Sequence, residues 1–384
     1  MNNPQIVIEN LSKRFGKKDA LIDINLQIEK GDYVVILGPT GAGKTTLLKI
    51  IAGLIPASNG AVYKDGEILN DIPPEERNLA YLPQTSDYSL FPYMNVWHNT
   101  LFSPKMRGEK PIDEINGLGN EVLDMVNLRH RYAALPHELS GGMKQRVALA
   151  RAIATDADVF LLDEPLRALD ARLRIILRTE IKKLVTDLEK TAFHVTHDQE
   201  EALAVADRIL IINNGEVVQI GTPKEIYQQP DTIFSAFFFG VSNLIPAQLT
   251  KQEQERILFK VGNHTISCLP IQNGKSESQN PPEDEYVLTV KAENVKISSR
   301  QKNGENSSSI VNEFIGKIIE THFLGKWAHV EVEILDFPKP LTVAIPSTEL
   351  NQYEINTDVS LTVDPKHIVF FNEPWKRLKE LEDN

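Results

Sequence analysis

One stretch of nine residues, Gly38-Pro39-Thr40-Gly41-Ala42-Gly43-Lys44-Thr45-Thr46, restricts the fold more than any other part of the chain. The apolar, β-branched run Tyr33-Val34-Val35-Ile36-Leu37 precedes it, and Leu47-Leu48-Lys49-Ile50-Ile51-Ala52 follows. This order predicts a buried strand, a glycine loop and a helix, the context that the pattern G-x-x-x-x-G-K-[ST] requires. Glycines let backbone N–H groups turn inward around a polyphosphate, and a helix opening near Lys44 points its positive end at the same anion. Lys44 adds a mobile charge for the β- and γ-phosphates, and the Thr45 hydroxyl is placed to ligate Mg²⁺. Average residue frequencies produce such a pattern in roughly one chain of this size in a hundred, and the flanking strand and helix make chance rarer still. A nucleoside triphosphate site is therefore expected.

Length and charge bound the rest. At 384 residues with 41% apolar content, two or three domains with ordinary cores are expected. A formal charge of −12 argues against a nucleic-acid or anionic-membrane footprint, which would be basic. The single cysteine, Cys268, excludes an intramolecular disulfide and a cysteine-cluster metal site, and it fits a reducing cytoplasm. Met1 to Glu9 carries polar residues throughout, so no secretory leader is expected there. The densest apolar stretch, Ile233 to Phe239, is too short to span a bilayer. Any service to a membrane is expected to run through a partner.

Ahead of the loop, Ile6 to Ile28 alternates apolar and polar residues, which predicts antiparallel strands turning at Gly16-Lys17-Lys18-Asp19. Phe15 stands at that turn and admits two readings. It is either a ring that packs the strands or a platform for adenine, a stacking contact worth about 1–3 kcal/mol. Beyond the loop, Gly60 to Ile68 reads as a hairpin, Pro73-Pro74-Glu75-Glu76 breaks the pattern, and Leu79-Ala80-Tyr81-Leu82-Pro83 is a short strand ending at Gln84. From about 85 to 150 the chain reads as a mostly helical insertion, opened by a loop with Tyr88, Phe91, Pro92 and Tyr93.

Three further segments carry chemistry. Ser140 is a good N-cap, and Gly141 and Gly142 lead into the apolar helix Val147 to Ile153, so a second anion-binding helix terminus lies about a hundred residues past the first. Val159-Phe160-Leu161-Leu162-Asp163-Glu164-Pro165 is a buried strand with two carboxylates at its C-terminal end, where α/β sheets place ligands. Such acids often cap helices, but downstream of a phosphate loop they acquire other work. Asp163 can hold Mg²⁺ through its water shell, and Glu164 can polarise a water for attack on the γ-phosphate. The strand Ala192-Phe193-His194-Val195 ends at Thr196-His197-Asp198; His194 reads as structural, and His197 sits where a side chain would reach the γ-phosphate.

The ordered set Lys44, Gln84, Ser140, Asp163, Glu164, His197 resembles the nucleotide-binding subunit of ATP-binding cassette (ABC) transporters, over residues 1 to about 240. The resemblance implies a P-loop NTPase fold of the α/β class and ATP and Mg²⁺ as cofactors. It identifies Gln84 with the family's glutamine loop, as a metal ligand beside Thr45 and Asp163 and as a catalytic residue with Glu164 and His197, and 139–143 with the signature. Ala168-Leu169-Asp170 becomes the Asp-containing loop, placing Asp170 beside nucleotide. His197 becomes the switch histidine, and Phe15 resembles the adenine-stacking aromatic. It also implies a head-to-tail homodimer in which each ATP lies between Lys44 of one chain and the Ser140-Gly141-Gly142 terminus of the other. Two residues depart from the pattern. Met143 replaces the usual glutamine, and Arg167 stands where a small residue is common, as a solvated arginine or as a cation near the dimer seam.

Beyond Gly240 the composition shifts, and residues 241–384 hold 15 lysines and arginines against 21 aspartates and glutamates. Short alternating runs, Ile257–Val261, Tyr286–Val290, Phe314–Ile319, Ala328–Ile334, Leu341–Ile345 and Val359–Val363, are separated by polar loops at 272–284 and 298–309. They predict a small all-β barrel, an OB-like fold among the candidates. The arrangement resembles the accessory domain of importer ATPases for maltose, polyamines, ferric ions, sulfate and molybdate or tungstate. The implied protein is a cytoplasmic ATPase subunit, peripheral on the inner face of the membrane through separate permease subunits and served indirectly by a solute-binding protein. The alternative is a soluble ABC ATPase that grips nucleic acid or ribosomes through its barrel; the net negative charge of that segment and the lack of coiled-coil heptads disfavour it.

Overall fold

The alternating opening segment forms β1 (Ile6–Phe15) and β2 (Lys18–Ile28), paired antiparallel across a turn at Gly16, in a computed structural model that describes residues 4–84, 90–108, 110–167, 169–270, 274, 284–299 and 312–375. β3 (Tyr33–Leu37) is buried at every position and runs through the glycine loop into α1 (Lys44–Ile51). β4 (Asn59–Lys64) and β5 (Glu67–Ile68) complete a four-stranded sheet in the order β2-β1-β4-β5. After β6 (Leu79–Leu82) come α2 (Val96–Thr100), α3 (Phe102–Arg107), α4 (Ile112–Met125) and α5 (Gly141–Ile153), the expected helical insertion. β7 (Val159–Asp163), α6 (Ala171–Asp187), β8 (Thr191–Val195), α7 (Gln199–Val205), β9 (Arg208–Asn213) and β10 (Glu216–Gly221) follow.

The second sheet of this unit has the order β10-β9-β3-β8-β7-β6, parallel except at β10. β3, β7 and β8 are buried at every position rather than at alternate ones, because both of their faces are covered. Their C-terminal ends, with that of β6, point the same way: β3 leads into the glycine loop, β6 toward Gln84, β7 into Asp163 and Glu164, and β8 toward His197. The core beneath gathers Ile8, Leu26, Val34, Leu47, Leu161, Phe193 and Leu210 from both sheets.

Residues 1–223 and 224–384 form two compact units. In the second, α8 (Pro223–Gln228) and α9 (Ile233–Phe238) precede ten strands: β11 (Ser242–Gln252), β12 (Ile257–Val261), β13 (His264–Cys268), β14 (Glu285–Lys291), β15 (Val295–Ser299), β16 (Asn312–Leu324), β17 (Trp327–Ile334), β18 (Leu341–Pro346), β19 (Asp358–Val363) and β20 (Val369–Phe371). Two antiparallel five-stranded sheets, β13-β12-β11-β14-β20 and β15-β19-β16-β17-β18, close on one apolar core in a barrel-like domain. Every run predicted from alternation is a strand; β11, β13, β15 and β20 are additional. Cys268 ends β13 fully buried in that core, where burial pushes its thiol up. The stretch from Ile233 is α9, and among the described residues no helix is long and apolar enough to cross a membrane.

Candidate active site

The phosphate loop is fixed by close packing. Gly43 has φ of +109°, and a Cβ there would lie 2.5 Å from the Ala20 carbonyl oxygen; at Gly38 it would run into the carbonyl of Ile212. Only glycine lets the loop lie this close to its neighbours. Lys44 Nζ donates back to the carbonyls of Gly38 (2.7 Å) and Pro39 (2.8 Å), so the ammonium sits inside the curl it serves. Burial lowers its pKa, against the pull of Glu164 and Asp163.

Beside the lysine, Thr45 Oγ1 donates to Asp163 Oδ1 at 3.0 Å, and the Tyr81 hydroxyl lies 3.5 Å from Oδ2. Asp163 is 1% exposed, and burial pushes its carboxyl above the ordinary value despite the hydrogen bond from Thr45. A hydroxyl and a buried carboxylate side by side are the hard oxygen donors a small divalent cation takes.

Glu164 points into the same space. Its Oε2 accepts from Gln84 Nε2 (2.7 Å) and from Arg167 (2.9 Å), and its Oε1 lies 3.7 Å from His197 Nδ1. Burial acts to raise the Glu164 pKa, but the two hydrogen bonds and the Arg167 charge outweigh it and hold the carboxyl below its usual range. Gln84 thus meets Glu164, while the oxygen pair of Thr45 and Asp163 lies to one side.

One open cavity of about 740 Å³ has a wall that includes Phe15, Thr40, Gly41, Ala42, Gly43, Lys44, Thr45, Thr46, Gln84, Glu164, Arg167 and His197. That volume is within the usual range for a small-molecule site, roughly 300–1,000 Å³. Phe15 is 51% exposed at the cavity rim, so its ring does not pack between strands. Gly38, Pro39, Asp163, Ser140, Gly141, Gly142 and Asp170 are not on that wall; Asp163 lies buried behind Thr45, whose hydroxyl donates to it. Ser140 caps α5 by accepting from the Met143 N–H at 3.4 Å, Asp170 caps α6 by accepting from Leu173 at 3.0 Å, and Ser140 and Gly141 are exposed.

The sequence alone resembled one family, and the comparisons with known proteins decide the matter. A family model described as ABC transporter matches residues 21–167. The spermidine/putrescine import ATP-binding protein PotA of Thermotoga maritima is 38% identical over 322 residues, covering 84% of each chain. The chain belongs to the family of ABC transporter ATP-binding subunits. The Fe(3+) ions import ATP-binding protein FbpC of Brucella abortus is 34% identical over 96% of this ABC subunit and 98% of its own length, and the maltose/maltodextrin import ATP-binding protein MalK of Yersinia pestis is 39% identical over 70% and 72%. Among solved structures, the dimeric, post-hydrolysis state of the ATP-binding cassette MJ0796 bound to ADP and Pi matches with a TM-score of 0.52 at 33% identity, covering 57% of this chain and 98% of that one.

Two features of the ABC subunit's site escape motif reading. Arg167, its side chain more than half exposed, pairs with Glu164 three residues before it. Below His197 lies a buried chain: the Tyr33 hydroxyl meets His194 Nδ1 at 2.9 Å, His194 Nε2 lies 3.5 Å from Glu201, and Glu201 accepts from Thr196 Oγ1 at 2.6 Å. Thr196 Oγ1 in turn accepts the Asp198 N–H, so the turn carrying His197 is held on both sides. The expected structural role of His194 matches this burial.

Proposed function

We propose that this chain is the ATP-hydrolysing subunit of an ABC importer, closing as a head-to-tail homodimer around two ATP molecules and driving separate permease subunits. The observation that carries the reading is the Glu164 carboxylate, held by Gln84 and facing His197 in the cavity that Lys44 and the glycine loop enclose. Lys44 and the loop N–H groups bind the β- and γ-phosphates, and Phe15 offers a face for adenine. Glu164, ionised at neutral pH, accepts a proton of the attacking water through Oε1, since Oε2 already takes two hydrogen bonds. His197 orients water and γ-phosphate from the far side. Thr45 and Asp163 would hold Mg²⁺, which supplies charge neutralisation on the phosphates.

The position of Ser140 supports the dimer. A capped helix terminus that is exposed and faces no nucleotide in its own cavity is free to serve a second copy's. For the permease, the surface is the loop near Gln84. Tyr88 lies outside the described residues, and Phe91 packs on Phe102 within the insertion, but Tyr93 is 96% exposed and can meet a partner. The matched relatives are named for three different cargoes at similar identity, which supports a subunit that powers transport without choosing the solute.

The test is Glu164→Gln. ATP binding should persist, a stable dimer should appear on sizing with ATP, and hydrolysis should fall by about 10²-fold or more. Hydrolysis at the parental rate would end the assignment.

A further inference from the structure

Among the described residues, ten non-glycine positions have left-handed backbone, and eight of them are Asn or Asp, the types that tolerate it. The other two are Glu189 and Glu164. Glu189 follows the end of α6 and donates to the Thr186 carbonyl, so it has the usual conformation after a helix. Glu164, with φ of +49°, follows a strand and has no such excuse.

Its peptide is pinned instead. The Glu164 N–H donates to the Val195 carbonyl on β8 (3.0 Å), and its own carbonyl accepts from Gln145 Nε2 (3.0 Å) and, at a longer 3.3 Å, from the Arg167 N–H. Gln145 is 3% exposed and lies on α5, five residues after the cap Ser140, in phase with the buried Ala148, Leu149 and Ala152. A strained residue persists only where its surroundings hold it, and of these holds Gln145 is the one supplied by a side chain from outside the β7 and β8 strand ends. That helix begins at the exposed Ser140-Gly141 terminus, about 7.5 Å from Gln145 along its axis at 1.5 Å per residue.

We propose that Gln145 is a positioning residue: its amide clamps the Glu164 peptide so that the carboxylate enters the cavity, and it ties that carboxylate to the signature end of α5. The tie rests on the head-to-tail reading, in which the Ser140 terminus of this chain touches the partner's nucleotide while Glu164 serves its own. Closure on one nucleotide then reaches the base at the other through a single side chain. The clamp itself needs no dimer.

Gln145→Met, which keeps length and loses the donor, tests both parts in the full chain, with Gln145→Glu as a polar isostere whose ionised form also cannot donate. Both should lower kcat by about 10-fold or more while leaving KM for ATP within about two-fold, because nucleotide contacts are untouched. The Hill coefficient for ATP should fall toward one relative to the parent. Gln145→Met placed on Glu164→Gln should still form the ATP-dependent dimer, which reports an intact fold and signature helix. Parental kcat in either variant, a rise in KM equal to the loss in kcat, or loss of that dimer while Glu164→Gln alone retains it would overturn the clamp. An unchanged Hill coefficient with lowered kcat would overturn the tie alone. If Glu164→Gln itself forms no dimer, the head-to-tail reading fails and the kcat result still decides the clamp.

Discussion

Lys291 shows what a single buried charge does outside the site. Its Nζ donates to the carbonyls of Ala236 (2.8 Å) and Phe239 and lies 3.0 Å from Ser242 Oγ, closing the end of α9. Burial draws its pKa from 10.5 down to about 8, opposed by Glu293. Between those values the unfolded chain holds a proton that the folded chain has released, so stability rises with pH through this window, and below pH 8 the folded state carries the full cost of the buried cation. From pH 7.5 to 10 this one group should add about 2 kcal/mol. The measurement is the difference in urea midpoint between wild type and Lys291→Met at the two pH values. An unchanged difference would mean that Lys291 is hydrated in solution.

At the scale of elements, the two ends of α1 are held by opposite devices: glycines at the start, and at the finish the buried Arg77, which donates to the carbonyls of Ile50 (3.1 Å) and Ile51 (2.8 Å) and to Ile72 (2.8 Å). Arg77→Met should cost about 2 kcal/mol by removing the donor to the Ile51 and Ile72 carbonyls, while Ile50 keeps the Gly53 N–H, read as a lower urea midpoint with unaltered ATP affinity. On α5, Ser140→Arg should abolish the ATP-dependent dimer on sizing while a monomer still binds nucleotide. The glycine loop, the strand ending in Asp163 and Glu164, and the capped signature helix were legible because each is a local pattern whose spacing is set by backbone geometry. Gln145 was not, since a glutamine in a helix has no motif; the one available signal was its phase with the buried face of α5. The pairing of Arg167 with Glu164 depends on side-chain direction, which spacing alone does not fix. Strand β11 was hidden by Pro246, which sits where β11 pairs only with β14, so the ring's missing N–H costs no ladder bond on the other side. Strand β13, His264-Thr265-Ile266-Ser267-Cys268, carries too few apolar residues to stand out, and β20 is only three residues long.

At the scale of the molecule, one unit carries the nucleotide chemistry and the other is a barrel with its own core, so a change in either should be readable separately. Chelating Mg²⁺ with EDTA should stop hydrolysis and restoring it should recover the rate, with ATP still bound in between; activity that survives chelation would remove the role proposed for Thr45 and Asp163. The burial of Cys268 has a practical consequence for such work. The chain's one thiol is shielded from solvent and held protonated by its apolar surroundings, so alkylating reagents should pass over it in the native state. The natural sequence is therefore already a background for engineered thiols: a cysteine at Ser140 and another at Thr40 can report, by a disulfide that an added oxidant forms between two chains when ATP is present, whether the loop of one copy meets the helix of the next.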